Sequence, residues 1–146
     1  MDRYSGRRRL LALHLEALAG QGPCRVLELG CGTGALTAQL LAHGHRVTAV
    51  DQSDVGLAKA RRLAEKRGVI IETTVTDLTD YSIAPGTWAG IVATFAHLPP
   101  AVRRRIHREA VNGLQPGGVC VLEAYSPAQL AFDTGGPKSP ERLMTL

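Results

Sequence analysis

An apolar run, Val26-Leu27-Glu28-Leu29, leads straight into Gly30-Cys31-Gly32-Thr33-Gly34, so a carboxylate stands two residues before a Gly-x-Gly-x-Gly turn. Glycines at this spacing after a strand let the backbone approach a ligand where side chains would block it. The chemistry that suits such a turn is capture of a nucleoside cofactor. A dinucleotide-binding turn wants Gly-x-Gly-x-x-Gly, with a pyrophosphate at a helix N-terminus. Here the third glycine comes one residue early, which argues against a dinucleotide. A second carboxylate, Asp51, ends the β-branched run Arg46-Val47-Thr48-Ala49-Val50. It follows the turn by roughly twenty residues, and its two oxygens match the spacing of a ribose diol. The other role open to Asp51 is the N-cap of the next helix, which Ser53 or Asp54 can fill instead.

The elements that must position these groups alternate along the chain. The pattern predicts a helix over about 6–19, a strand over 24–29, a helix over 34–43 and a strand over 46–51. A helix over 55–67 and strands over 69–75 and 89–95 follow, then a helix over 100–114, a strand over 118–125 and an irregular tail. Pro100 suits a first helical turn, and Pro116-Gly117-Gly118 reads as the stop after that helix. The short stretch around Pro85-Gly86 leaves little room for a third crossover helix. Strands alternating with helices imply an α/β fold built on a parallel sheet with right-handed crossovers.

Composition agrees with one compact domain over 1–146, since 146 residues with 45% hydrophobic content can bury a single core. No stretch approaches membrane-spanning length and the arginine-rich start lacks a secretory pattern, so a cytoplasmic location and no membrane partner are expected. Cys24, Cys31 and Cys120 are odd in number and sit on or beside expected buried strands, which suggests reduced, packed thiols. No metal site is expected. The net charge of +4 comes mostly from arginine runs on different elements, and with 4% aromatic content these read as solvated helix faces rather than a nucleic-acid platform.

The Glu28–Gly34 turn resembles the first motif of class I S-adenosylmethionine-dependent methyltransferases, and Leu114-Gln115-Pro116-Gly117-Gly118 before a strand resembles another motif of that family. The resemblance implies a three-layer Rossmann-like sheet in the order 3-2-1-4-5, with S-adenosylmethionine bound and S-adenosylhomocysteine released at the carboxyl edge. It assigns the cofactor to Glu28, Gly30, Cys31, Gly32, Gly34, Asp51, Gln52, Asp77, Leu78, Thr94 and Phe95. In the family the acid at the Glu28 position helps to fix the cationic amino group, and the acid at the Asp77 position accepts the adenine amino group. Asp77 also suits a turn, with Thr79 and Asp80 beside it.

Later stretches, Trp88 to Val92, Phe95 to Pro99, Glu123 to Leu130 and Thr134 to Lys138, look like the tellurite-resistance (TehB-like) branch of small-molecule methyltransferases. Ala89 stands where that branch usually carries an acid. The chain stops at Leu146, where the family continues into two further strands that form an antiparallel hairpin, so a shortened domain is expected. The fifth strand, with Val119, Val121 and Leu122, is then a sheet edge, expected to be covered by the tail 126–146, a second copy or a separate chain. The expected activity is methyl transfer to a small nucleophilic acceptor, such as a thiol, a chalcogen oxyanion or a metabolite. The other reading is a cofactor-binding module or partner subunit without turnover. His97, Tyr125 and Tyr4 are candidate acceptor-side residues, and no catalytic residue is identified. The sulfonium already activates its methyl group, so alignment and desolvation carry most of the work. A base is needed only where the acceptor loses a proton at attack.

Overall fold

In the computed structural model, which describes residues 12–18, 20 and 22–145, five strands form one parallel sheet in the order β3-β2-β1-β4-β5. The strands are β1 (Arg25–Leu29), β2 (Arg46–Asp51), β3 (Glu72–Val75), β4 (Trp88–Thr94) and β5 (Leu114–Glu123). Residues 12–18 form α1, followed by α2 (Ala35–Ala42), α3 (Asp54–Lys66) and α4 (Pro100–Gly113). The expected α/β architecture and strand order are those observed. Tyr4 and the start of the expected first helix lie outside the described residues.

Central strands are buried on both faces, which is why β1 and β4 read as nearly continuous apolar runs. Period-two alternation then sorts their side chains. Leu27, Leu29, Ile91 and Ala93 join Ile106 and Ala110 of α4 in one core cluster. Val26 and Val92 join Leu18 of α1 and Leu36, Leu40 and Leu41 of α2 in another. Glu28 lies between Leu27 and Leu29 in sequence and is therefore directed to the α1–α2 face, where it is fully buried.

Each helix starts for a local reason. Ser53 caps α3 by accepting the Gly56 N–H at 3.0 Å, so Asp51 is not the N-cap. Pro100 opens α4, where its missing N–H costs nothing. α2 starts at Gly34 with no side-chain cap.

No helix links β3 to β4; the chain crosses by a loop over 76–87, as its length suggested. Leu78 and Ile83 of this loop are buried against α4, so its backbone carbonyls need partners. Arg105 supplies them: Nη2 donates to the carbonyls of Leu78 (2.6 Å) and Thr79 (2.9 Å), and Nη1 to that of Tyr81 (2.9 Å). Glu109 completes the clasp by accepting from Arg105 at 2.8 Å and from the Ile83 N–H at 3.0 Å. That amide, with the Arg105 guanidinium, holds the Glu109 carboxyl below the usual range.

Three boundaries differ from expectation. β3 is confined to Glu72–Val75, and β5 ends at Glu123 rather than running on to Tyr125. β5 also starts at Leu114 and passes through Pro116-Gly117-Gly118, which is a bulge inside the strand: Trp88 faces Leu114, but Gly90 already faces Val119. The tail takes two 3₁₀ turns, Pro127–Ala131 and Pro140–Arg142. Among the described residues β5 pairs with β4 alone, so the tail does not extend the ladder. Leu122 is 46% exposed there. Cys120 is exposed rather than packed, and all three cysteines are free.

Removing the Arg105 clasp strands several carbonyls over a buried loop. Arg105→Ala is expected to lower unfolding free energy by about 1–3 kcal/mol and to speed amide exchange selectively over residues 78–83. Urea titration and hydrogen exchange would check both.

Candidate functional site

The glycine turn sits at the carboxyl edge of the sheet, where β1 and β4 lead in opposite directions. Gly30 donates to the Val50 carbonyl at 2.8 Å, which ties the turn to β2. Asp51 then holds it from the side, with Oδ2 accepting the Gly32 N–H at 2.9 Å and Oδ1 the Ser53 N–H at 2.8 Å. Gly34 has φ 83° and lies so close to α3 that a Cβ there would meet the Ala60 Cβ at 2.6 Å. Only glycine satisfies both conditions.

Two clefts open on this edge, and Gly30 and Phe95 line both. The first, of about 320 Å³, is walled by Glu28, the glycine turn, Thr94, Glu123 and His14. The second, of about 510 Å³, is walled by Asp51, Gln52, Asp77, Leu78 and the segment Phe95 to Pro99. The candidate residues Glu28, Gly30, Cys31, Gly32, Asp51, Gln52, Asp77, Leu78, Thr94 and Phe95 each line one or both of these adjacent clefts, and Gly34 packs the turn from behind.

Phe95 directly follows β4 and has φ 54°, uncommon for a side chain of its size. Its N–H donates to the Glu123 carbonyl at 2.8 Å. The residue is 38% exposed; its ring stacks on Tyr125 with centroids 4.9 Å apart, and Tyr125 stacks in turn on His97 at 5.5 Å. His97 Nδ1 meets the Arg142 carbonyl at 3.1 Å and its Nε2 meets the Tyr125 N–H at 3.4 Å. Both ring nitrogens thus hold the tail. His97 lines the second cleft, and Tyr125, which lines neither cleft, stacks on it from the segment after β5.

Charge is distributed unevenly. Glu28 accepts from the Thr37 hydroxyl at 2.5 Å through Oε2, while its Oε1 is buried with no hydrogen-bond partner among the described residues. Burial pushes the Glu28 carboxyl up to about 7, against the opposing Thr37 hydrogen bond. Burial, with the nearby Glu28 and Asp51 carboxylates, pushes the Cys31 thiol up to about 12, so Cys31 stays protonated and is no nucleophile at neutral pH. Asp77 is exposed; the Thr79 N–H, 2.7 Å from its Oδ1, holds its carboxyl below the usual range. That bond is the turn geometry its neighbours suggested.

Sequence reasoning did not single out His14, Thr37 or Glu123. His14 stands one helical turn before Leu18 on the buried face of α1, a titratable residue on an apolar stripe. That was the only signal available.

Residues 26–118 match the family model described as "Methyltransferase domain". Among curated proteins, the chain is 36% identical over 124 residues to "Ribosomal RNA small subunit methyltransferase C" of Chromohalobacter salexigens, covering 82% of this chain and 37% of that protein. It is 33% identical over 104 residues to "Carboxy-S-adenosyl-L-methionine synthase" of Salmonella paratyphi C, covering 67% of this chain and 42% of the relative. Thus it spans roughly two-fifths of the length of these curated relatives. Among solved structures, N-methyltransferase NodS from Bradyrhizobium japonicum in complex with S-adenosyl-l-homocysteine superposes with a TM-score of 0.73 at 26% identity, covering 85% of this chain and 64% of that one.

The raised Glu28 carboxyl has a measurable consequence. The folded chain retains a proton that the unfolded chain, with its carboxyl near 4.5, releases between pH 4.5 and about 7. Stability therefore falls as pH rises through that window. Glu28→Gln is expected to be more stable than the wild type above pH 8, by on the order of 3 kcal/mol, with the gain vanishing below pH 4.5. Urea midpoints at pH 4 and pH 8 would check this.

Proposed function

Because this chain belongs to the methyltransferase domain family of class I S-adenosylmethionine-dependent enzymes, we propose that it holds S-adenosylmethionine across the two joined clefts and directs methyl transfer to a small nucleophilic acceptor. The observation that carries this reading is the junction itself: two clefts that share Gly30 and Phe95, one ending at Glu28 and the other at Asp51 and Asp77. An elongated ligand with an amino group at one end and an adenosine at the other fits that distribution of acceptors. When bound, the cofactor supplies a methyl group already activated on a sulfonium.

The chain's residues supply position. Each Asp51 oxygen accepts one backbone N–H and keeps a further lone pair for a ribose hydroxyl. Asp77 and the backbone at Leu78 stand where the adenine edge would lie, and Gln52 sits at the rim of the same cleft. Phe95 at the junction and Thr94 beside it in the first cleft would line the place where the acceptor meets the methyl group. A protonated Cys31 beside the glycine turn does not compete for it. An acceptor that arrives as a thiolate or chalcogen oxyanion, as in the tellurite-resistance branch, needs no base from the protein.

For an acceptor that must lose a proton at attack, one observation favours the second reading, a module that binds without turnover. His97, the titratable side chain nearest the loop after β4, has both nitrogens taken by backbone groups and none free to accept a proton. Calorimetric titration with S-adenosylmethionine and S-adenosylhomocysteine, beside Asp51→Ala, tests the cofactor site. The wild type is expected to bind both, and the variant to bind about a hundredfold more weakly, as losing hydrogen bonds to a charged group implies. No binding by the folded wild type would overturn the proposal. Product formation with a panel of thiols, chalcogen oxyanions and small metabolites separates the enzyme from the silent module.

A further inference from the structure

The first cleft holds a second unsatisfied group besides Glu28. His14, 5% exposed, lines it from α1, and its Nδ1 is buried with no hydrogen-bond partner among the described residues. Its other nitrogen, Nε2, lies 3.4 Å from Oε2 of Glu123 at the end of β5. A carboxylate against Nε2 selects the tautomer that carries its hydrogen there, so in the neutral ring Nδ1 is the acceptor. Glu28 Oε1 is likewise an acceptor when ionised. One cleft therefore has two buried acceptors, on opposite elements, with nothing to receive. Leaving such a group unpaired in the interior costs stability that a bound donor returns.

The other groups on that wall do not supply donors with charge. The described lining residues include Glu28, Glu123, Cys31, Thr33, Thr94 and His14, and no lysine or arginine. The charge such a lining suits is a cation with N–H donors to offer; an anion at the same place meets two carboxylates.

We propose that His14 is a binding residue for the cationic amino group at the amino-acid end of the nucleoside, acting together with Glu28, and that Glu123 is the positioning residue that fixes the His14 ring. The inference rests on the function proposed above and names a residue that neither the glycine motif nor the family resemblance assigns. Its geometry is long-range: His14 of α1 reaches Glu123 at the end of β5, a strand separated from β1 by β4. Glu123 acts through the ring, much as a carboxylate behind a metal-bound histidine sets its tautomer.

The test compares two nucleosides with the full chain. S-Adenosylhomocysteine carries the amino group, and 5′-methylthioadenosine has the same adenosine and sulfur without the amino-acid end. Calorimetry on the wild type, His14→Ala, His14→Asn and Glu123→Gln, each checked for folding by thermal melting, gives the ratio of the two affinities. The expected result is that His14→Ala weakens S-adenosylhomocysteine about tenfold, the size of one hydrogen bond to a charged group, and leaves 5′-methylthioadenosine unchanged. His14→Asn, whose amide oxygen can stand near the Nδ1 position, recovers most of the loss. Glu123→Gln weakens S-adenosylhomocysteine by a smaller factor, again without touching the truncated nucleoside.

Equal weakening of both nucleosides by His14→Ala would overturn the inference, because it would mean that His14 only supports the fold. An unchanged ratio in a folded His14→Ala would overturn it too. A wild type that binds 5′-methylthioadenosine but gains nothing from the amino-acid end would refute this inference while leaving the adenosine cleft standing. A wild type that binds neither nucleoside would remove the cofactor reading itself and this inference with it.

Discussion

The contact between the glycine turn and the start of α3 is the constraint on which the rest of the site depends. Gly34 leaves no room for a Cβ against Ala60, and a Cβ on Gly56 would lie 2.9 Å from the Gly32 carbonyl. The turn and α3 can approach this closely only because Gly34 and Gly56 carry no side chain at the contact. Asp51 then locks the contact by joining the Gly32 and Ser53 amides through one carboxylate. The floor shared by both clefts is set by this packing before any ligand arrives, so less ordering remains to be done on binding.

Electrostatics follow from where that floor lies. Glu28 is carried into the interior because strand alternation leaves it no other direction, and one hydrogen bond from Thr37 compensates only part of its desolvation. Cys31 is raised first by its own burial and then by the neighbouring Glu28 and Asp51 carboxylates, so this end of the site disfavours negative charge throughout. The second cleft is solvated by contrast: Asp77 is exposed and held in its ionised range by a turn amide. The two ends of the site thus differ in dielectric environment as well as in shape.

The loop that replaces the third crossover helix shows how the far side of the sheet is closed without regular structure. A crossover needs its backbone groups paired wherever it is buried, and side chains of α4 pair them here. The tail is fixed in a similar manner. Arg103 donates to the Glu141 carbonyl at 3.0 Å, and Met144 donates to the Tyr125 carbonyl at 3.0 Å. Leu143, between those anchors, is the one buried side chain among the described residues of the tail.

Sequence by itself determined what depends on neighbours in the chain. The apolar run, the spacing of its glycines and the carboxylate ending the next strand specified a strand-turn-helix and its acidic companions. Alternation of strands and helices specified the layers, and Ser53 was legible as a cap because a cap is a local event. Only the tertiary structure decided the interactions that join distant segments. His14 meets Glu123 across the sheet, Arg105 reaches the loop after β3, and the Trp88–Leu114 pairing draws Pro116-Gly117-Gly118 into a strand where local chemistry reads a stop. Local propensity amounts to less than a kilocalorie or so at most positions, so ladder pairing and burial override it wherever they compete. Side-chain partners many residues apart leave no periodicity for a sequence to display.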